Sequence, residues 1–196
     1  MVDVLESDLH LHVAEFSSPW IFLHAGAVGW KGRAIVLPGR SFVGKSTLVA
    51  ALLRAGATLF SDEYAVLDGA GQVHPYPRRL SLRRPGATPL RCPPEALGSA
   101  TAVGPAPIAL IALLTFDSGR SGELEKLSPG KAVLHLLLNA VPVRRRQHAV
   151  IELLSSIASR VPVWHGQRGE ADAAAARLLR WSENVGAESF LPSFGA

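Results

Sequence analysis

The chain has 196 residues, of which 48% are hydrophobic and 18% charged, and its formal net charge is +4 at pH 7. This composition excludes a disordered chain and is typical of a globular domain with a buried core. One cysteine excludes an internal disulfide framework, and the longest apolar run, 108–116, is too short to span a bilayer. We expect a cytoplasmic protein that does not enter a membrane, with one domain over residues 1–182 and a tail over 183–196.

Arginines cluster at 78–79, 83–84 and 144–146. A nucleic-acid surface is one interpretation of these clusters. However, they lack interleaved aromatic residues, and a triphosphate or an acidic partner explains some of them equally well. We therefore expect no nucleic-acid partner.

The first part of the chain predicts extended structure. Residues 9–14 alternate as Leu-His-Leu-His-Val-Ala, which is the period of a half-buried strand, and 20–28 is a second extended run. The turn residues at 29–32 predict a hairpin into the apolar run 34–37. This hairpin would bring residues 22–26 alongside the strand that follows it.

The run 34–37 leads into Gly-Arg-Ser-Phe-Val-Gly-Lys-Ser, and a helical pattern from Thr47 to Arg54 follows. This is the G-x-x-x-x-G-K-S phosphate-binding motif in its required context, a strand entering and a helix leaving, and not a chance match in a glycine-rich chain. Lys45 would reach the β- and γ-phosphates of ATP, and the Ser46 hydroxyl would bind Mg²⁺. The predicted nucleotide-binding residues are Gly39, Arg40, Ser41, Phe42, Val43, Gly44, Lys45, Ser46 and Thr47.

The elements after the loop predict an α/β fold. We expect the helix to end near Gly56, and strands over 57–60 and 64–67, with 72–76 as a hairpin partner. The proline- and arginine-rich segment 75–107 predicts little regular structure. Beyond it the pattern predicts strands over 108–116 and 123–127, a helix that begins at Ser128-Pro129, and a second helix over 143–159. A last strand over 161–164 and a last helix over 171–181 follow.

Two carboxylates, Asp62 and Glu63, end the predicted strand that follows the loop helix, sixteen and seventeen residues after Ser46. A phosphate loop requires a carboxylate on a neighbouring strand to hold Mg²⁺, and a second one could accept the proton of an attacking hydroxyl. The alternative is that the pair only caps the end of a strand.

Two further candidates depend on the same geometry. His24 lies fifteen residues before Gly39, and the hairpin would bring it near the loop, where it could share a proton with the acidic base. The alternative is a core histidine bound to backbone. Of the arginines at 78–79 and 83–84 we favour Arg83 as a stabiliser of phosphoryl charge, although a solvated basic loop explains each of them as well.

Three stretches together resemble a known family. His24-Ala-Gly-Ala-Val, then 39–46, then Arg54-Ala-Gly-Ala-Thr-Leu-Phe-Ser-Asp62-Glu63 are similar, in residues and spacing, to the catalytic domain of HPr kinase/phosphorylase. The resemblance covers about residues 20–68. It implies a single P-loop α/β domain of the HPr kinase and phosphoenolpyruvate carboxykinase type, with a mixed sheet and flanking helices.

The resemblance also implies residue roles: Asp62 as the acid/base for a serine hydroxyl, helped by His24, with Glu63 and Ser46 serving the metal and Lys45 the phosphates. Glu63 stands where the family has a second aspartate, and Phe42 where it usually has a glycine. The family's N-terminal regulatory domain and its later Arg-Gly-Leu-Gly signature are not found in this sequence. The stretches 61–68 and 74–83 look more like those of small stand-alone relatives.

These features predict an ATP- and Mg²⁺-dependent kinase that acts on a serine of a protein or peptide. Two other functions remain open: a nucleotide-binding regulatory module with little turnover, and a kinase for a small-molecule hydroxyl. Because related enzymes form hexamers, a homo-oligomer is also possible.

Overall fold

The computed structural model describes residues 2–39, 43–82, 90–118 and 124–184. Within these ranges the chain has a mixed α/β fold, as the sequence predicts, with two 3₁₀ turns at Pro94–Leu97 and Pro142–Arg144. Its helices are α1 (Val2–Phe16), α2 (Lys45–Arg54), α3 (Pro129–Leu137), α4 (Gln147–Arg160) and α5 (Ala171–Asn184). Its strands are β1 (Ile21–Trp30), β2 (Arg33–Pro38), β3 (Thr58–Ser61), β4 (Tyr64–Leu67), β5 (Gln72–His74), β6 (Leu80–Leu82), β7 (Leu90–Cys92), β8 (Ala106–Phe116), β9 (Leu124–Lys126) and β10 (Val163–Arg168).

The main sheet is mixed and has the order β2-β1-β4-β5-β8-β10-β9, with β3 also paired to β1 and β2 also paired to β8. The pairs β2–β8 and β8–β10 are parallel, and the other pairs in this sheet are antiparallel. The carboxyl ends of β2, β8 and β10 therefore lie at one edge of the sheet. This is the edge at which parallel α/β sheets bind ligands.

The predicted hairpin β1–β2 forms, with Ala25 opposite Pro38 and Trp30 opposite Arg33. Of the residues 22–26 expected alongside β2, however, only 25 and 26 lie opposite it, because 22–24 pair with β4. The first residues of β1 pair with β4, and its later residues pair with β2 on one side and β3 on the other. One strand thus contacts both the strand that precedes the phosphate loop and the two strands that flank the acidic pair.

Helices cover both faces of the main sheet. On β2, Ala34 and Val36 point into a cluster that includes α3 and α4, whereas Ile35 and Leu37 point into a cluster that includes α2 and α5. Each of these four side chains is at most 2% exposed. This alternation buries both faces of the strand, which is typical of a central parallel strand.

The predicted strand over residues 9–14 is wrong, because these residues belong to helix α1. Leu9 and Leu11, which the alternation would bury together, are 59% and 43% exposed. The less exposed positions are instead His10, Val13 and Ala14, which recur at helical spacing. The apparent alternation in Leu-His-Leu-His-Val-Ala is therefore coincidental.

The segment 75–107 holds more regular structure than the sequence predicts. β6 and β7 form a two-stranded antiparallel sheet, followed by the 3₁₀ turn Pro94–Leu97. Leu80 is fully buried and Cys92 nearly so, in the same cluster as α2, and this burial holds β6 and β7 against the loop helix.

Other boundaries differ by a few residues. The loop helix begins at Lys45, two residues earlier than expected, and Gly56 with φ +98° follows its end. The helix predicted over 143–159 is a 3₁₀ turn followed by α4, which begins at Gln147, and the strand predicted over 161–164 is β10, which extends to Arg168. The expected tail lies almost entirely outside the described residues. In the described part of the chain, no helix is both long and apolar enough to cross a membrane.

Candidate active site

The phosphate motif lies where β2 ends and α2 begins. Gly44 precedes the helix with φ +85°, a conformation that favours glycine. A Cβ on Gly39 would lie 2.8 Å from a methyl group of Val43, so the backbone is closely approached there as well. The Lys45 ammonium donates a 2.6 Å hydrogen bond to the Gly39 carbonyl. Arg40, Ser41 and Phe42 lie outside the described residues.

Strand β1 joins the loop to the acidic pair. The His24 carbonyl accepts a 3.1 Å hydrogen bond from the Gly39 amide, and the Ala25 amide donates a 3.1 Å bond to the Glu63 carbonyl. His24 also stands opposite Tyr64 in the β1–β4 register, with ring centroids 4.7 Å apart. The hairpin therefore brings His24 beside both halves of the site, as predicted.

The acidic pair lies between two strands that both run antiparallel to β1. Ser61, the last residue of β3, is opposite Ala27, and Tyr64, the first residue of β4, is opposite His24. The Ser61 hydroxyl accepts hydrogen bonds from the amides of Glu63, at 3.3 Å, and Tyr64, at 3.1 Å. These bonds hold the two-residue connection at the strand ends.

The Asp62 carboxylate is buried, and one of its two oxygens lacks a hydrogen-bond partner among the described residues. The residue is only 8% exposed, and its Oδ1 atom has no hydrogen-bond partner in the part of the chain that the structure describes. Burial raises the pKa of this carboxyl from 3.8 to about 6, against the opposing effects of the Ser46 hydroxyl, the Lys45 ammonium and the Ser81 amide. A free, buried carboxylate oxygen with such a pKa is suited to accept a proton near neutral pH.

Burial also lowers the pKa of the two basic side chains. For Lys45 the nearby Asp62 and Glu63 carboxylates oppose this effect. For His24 the Lys45 ammonium lowers the pKa further, and Glu63 raises it. These effects together lower the pKa of His24 and favour its neutral imidazole. Among the described residues its ring makes no hydrogen bond.

Glu63 has a basic partner that the sequence analysis did not assign to it. Its Oε2 atom accepts a hydrogen bond from Arg78 Nη1. Arg78 Nη2 in turn donates a 2.7 Å bond to Glu6 on α1. An arginine thus connects the N-terminal helix to the candidate metal ligand.

The structure brings together Asp62, Glu63, Lys45 and Ser46, with His24 at the edge of the group. Ser46 and Glu63 supply a hydroxyl and a carboxylate, which are the oxygen ligands that Mg²⁺ prefers when nucleotide phosphates complete its shell. In the described ranges no group of three or more His, Cys, Asp or Glu side chains forms a separate metal site. Thr47 is exposed on α2, and Arg83 lies outside the described residues.

Sequence reasoning missed Arg168, the last residue of β10, which is only 4% exposed. Its Nη2 atom donates a 2.8 Å hydrogen bond to the carbonyl of Gly44, at the start of α2. One signal could have found it: a charged residue at the carboxyl end of a strand parallel to β8 lies at the edge that carries the phosphate loop. The predicted strand ended at Trp164, so this signal was lost.

Comparison of the chain with protein-family models and with curated proteins gives no match. The geometry of the site defines its class only broadly: a glycine-bounded loop at a helix start, with a lysine, a hydroxyl and two carboxylates beside it. That donor set is suited to bind a phosphorylated ligand with a divalent cation.

Proposed function

We propose that this protein is an ATP- and Mg²⁺-dependent kinase that phosphorylates a serine hydroxyl of a protein or peptide. We further propose that its mixed α/β fold is a P-loop domain of the HPr kinase and phosphoenolpyruvate carboxykinase type. The observation that carries the proposal is Asp62, a buried carboxylate with a free oxygen, next to the lysine and serine that begin the loop helix. A carboxylate that only capped a strand would use both oxygens on nearby groups, whereas Asp62 accepts bonds from the Ser46 hydroxyl and the Ser81 amide and keeps Oδ1 free among the described residues.

The loop side of the site is suited to hold the nucleotide. Gly44 adopts a positive φ that favours glycine at the helix start, and the first amides of α2 would face a bound anion, where the helix dipole favours negative charge. Lys45 would leave its bond with the Gly39 carbonyl to contact the β- and γ-phosphates. Ser46 and Glu63 would hold Mg²⁺, which supplies charge neutralisation on the transferring phosphoryl group.

The acidic side is suited to activate the acceptor. Asp62 would take the proton of the serine hydroxyl as the serine Oγ–phosphorus bond forms and the bond from phosphorus to the β-phosphate oxygen breaks, leaving ADP. His24, whose lowered pKa favours the neutral imidazole, would help to orient the acceptor or take the proton onward. Lys45 stays beside Asp62 and stabilises its ionised form.

The test is label transfer from γ-labelled ATP with Mg²⁺ to a whole-cell lysate. We expect a labelled polypeptide whose phosphate is bound to serine, and no label with Lys45→Met. The matched control is Lys31→Met, because Lys31 is an exposed lysine that pairs with Glu183 on the surface. This control is expected to label like the wild type.

The other outcomes contradict the proposal in distinct ways. Label that appears only in the small-molecule fraction would indicate a kinase for a metabolite hydroxyl. Tight ATP binding without any transfer would indicate a regulatory module.

A further inference from the structure

Arg168 is a buried cation packed against the start of the loop helix. Its guanidinium donates to two backbone carbonyls, that of Gly169 at 2.9 Å and that of Gly44 at 2.8 Å, and lies 5.3 Å from the ring centre of Phe116. Residues 164–168 of β10 run in parallel register with 112–116 of β8, so the two strand ends present Arg168 and Phe116 together.

The charge of Arg168 is poorly compensated. In the described part of the chain no carboxylate forms an ion pair with it, and burial lowers its pKa, with only Glu170 acting against this. A buried guanidinium that rests on two carbonyls costs more free energy than an apolar side chain of similar volume would. What Arg168 contributes, and an apolar residue would not, is therefore the hydrogen bond of its guanidinium to the Gly44 carbonyl.

The contact with Gly44 controls one peptide plane. The Gly44 carbonyl accepts a 3.2 Å hydrogen bond from the Leu48 amide and a second bond from Arg168. In a trans peptide the carbonyl and the next amide point in opposite directions. With the Gly44 carbonyl held along α2 by two donors, the Lys45 amide points away from the helix at its N-terminal end.

The same contact leaves little freedom at Gly44. A Cβ at this position would lie 2.6 Å from Arg168 Nη2, in a backbone conformation, φ +85°, that already favours glycine. Arg168 and Gly44 therefore fit each other closely, and a shift of the guanidinium would remove one of the two donors that hold the peptide before Lys45.

We propose that Arg168 is a positioning residue for the phosphate site. Its guanidinium, which donates to the Gly44 and Gly169 carbonyls, holds the Gly44–Lys45 peptide so that the amide and side chain of Lys45 face the phosphates. This inference rests on the proposed function only in so far as the loop binds a phosphorylated ligand. It does not depend on phosphoryl transfer.

The test is calorimetric titration of the full chain with pyrophosphate and, separately, with ATP. Arg168→Gln is expected to weaken both by about tenfold, the loss expected when one hydrogen bond to a charged group no longer orients the binding amide. The matched control is Arg146→Gln, because Arg146 also donates to two backbone carbonyls, those of Trp20 at 2.9 Å and Pro19 at 3.0 Å, ahead of β1. The affinity of Arg146→Gln for pyrophosphate and for ATP is expected to stay within about twofold of the wild type.

Urea unfolding of both variants separates binding from stability. Arg168→Gln that loses stability but binds pyrophosphate like Arg146→Gln would overturn the proposal, because the residue would then serve only the fold. If Arg168→Gln does not fold, Arg168→Lys keeps the charge but not the planar fork, and wild-type affinity in that variant would also overturn it. A wild type that binds neither ligand contradicts both this proposal and the nucleotide site, whereas binding without transfer contradicts only the kinase proposal.

Discussion

Replacing Asp62 with asparagine should make the protein more stable at neutral pH while removing the carboxylate that we propose as the catalytic base. The two side chains have nearly the same shape, but asparagine carries no charge to bury. Asp62 is 8% exposed, and one of its oxygens has no hydrogen-bond partner among the described residues. Ionising this group in the folded protein is therefore costly.

The magnitude follows from the pKa of Asp62, which burial raises from its ordinary value of 3.8 to about 6. At 1.36 kcal/mol per pH unit, this difference corresponds to about 3 kcal/mol. The folded protein keeps the Asp62 proton up to about pH 6, whereas the unfolded chain releases it near its ordinary pKa. Between these values the folded state binds more protons, so raising the pH destabilises it.

The assay is urea unfolding of the wild type and Asp62→Asn at half-unit steps from pH 4 to pH 8, with EDTA and without nucleotide. Groups such as Asp68, whose carboxyl pKa is lowered, are present in both proteins and cancel in the difference. The stability of Asp62→Asn minus that of the wild type should rise by up to about 3 kcal/mol and level off above about pH 7.

A difference that does not change with pH would refute this reasoning, because it would mean that Asp62 titrates alike in both states. A difference that falls as the pH rises would mean that the site stabilises the carboxylate. Either result would remove the physical basis for treating Asp62 as a base poised near neutrality.

Three further predictions follow from the same contacts. Because Asp62 must be ionised to accept a proton, the kcat/KM of phosphoryl transfer should fall about tenfold per pH unit below about pH 6. A pH–rate profile that is flat in this range would argue against Asp62 as the base. Arg78→Gln should lower the Mg²⁺ concentration for half-maximal ATP binding about fivefold, because it frees Glu63 from its ion pair. The control is Arg79→Gln at the exposed neighbouring position, which should leave this Mg²⁺ concentration unchanged. Gly26→Ala should lower the free energy of unfolding by about 1–3 kcal/mol, since its Cβ would lie 2.6 Å from a valine methyl group of α2, and an unchanged urea midpoint would contradict this.

The strand–loop–helix unit could be predicted because its signals are local. An apolar run, a glycine-bounded loop and an alanine- and leucine-rich stretch lie in direct succession, and the hairpin turn before them brings His24 to the loop. The position of Asp62 and Glu63 was likewise predictable from the length of the helix and strand between them and Ser46.

Helix α1 was mispredicted because two periods competed over a short stretch. In Leu-His-Leu-His-Val-Ala the alternation fits a strand, yet the half-buried and buried positions His10, Val13 and Ala14 follow the helix. What decides the outcome is packing of that face over Phe22, Tyr64 and Tyr76, which are distant in sequence. Local patterns carry no information on such contacts.

The arginines of the site could not be assigned from sequence for a related reason. Arg78 was one of four candidate arginines, of which the sequence favoured Arg83, and only the fold shows that Arg78 lies between Glu63 and Glu6. Arg168 is 124 residues from Gly44, and the parallel pairings of β10 with β8 and of β8 with β2 bring the two together. A buried charge at the end of a long-range pairing leaves no local signature.

The most direct test of the central claim measures ATP binding and phosphoryl transfer on the same preparation of Asp62→Asn. The control is Asp172→Asn, a carboxylate on the surface with 85% of its side chain exposed. We predict that Asp62→Asn binds ATP within about twofold of the wild type but transfers phosphate about 10²–10⁴ times more slowly, the range for loss of a general base. Transfer at the wild-type rate, with binding intact, would contradict the assignment of Asp62 and with it this account of the site.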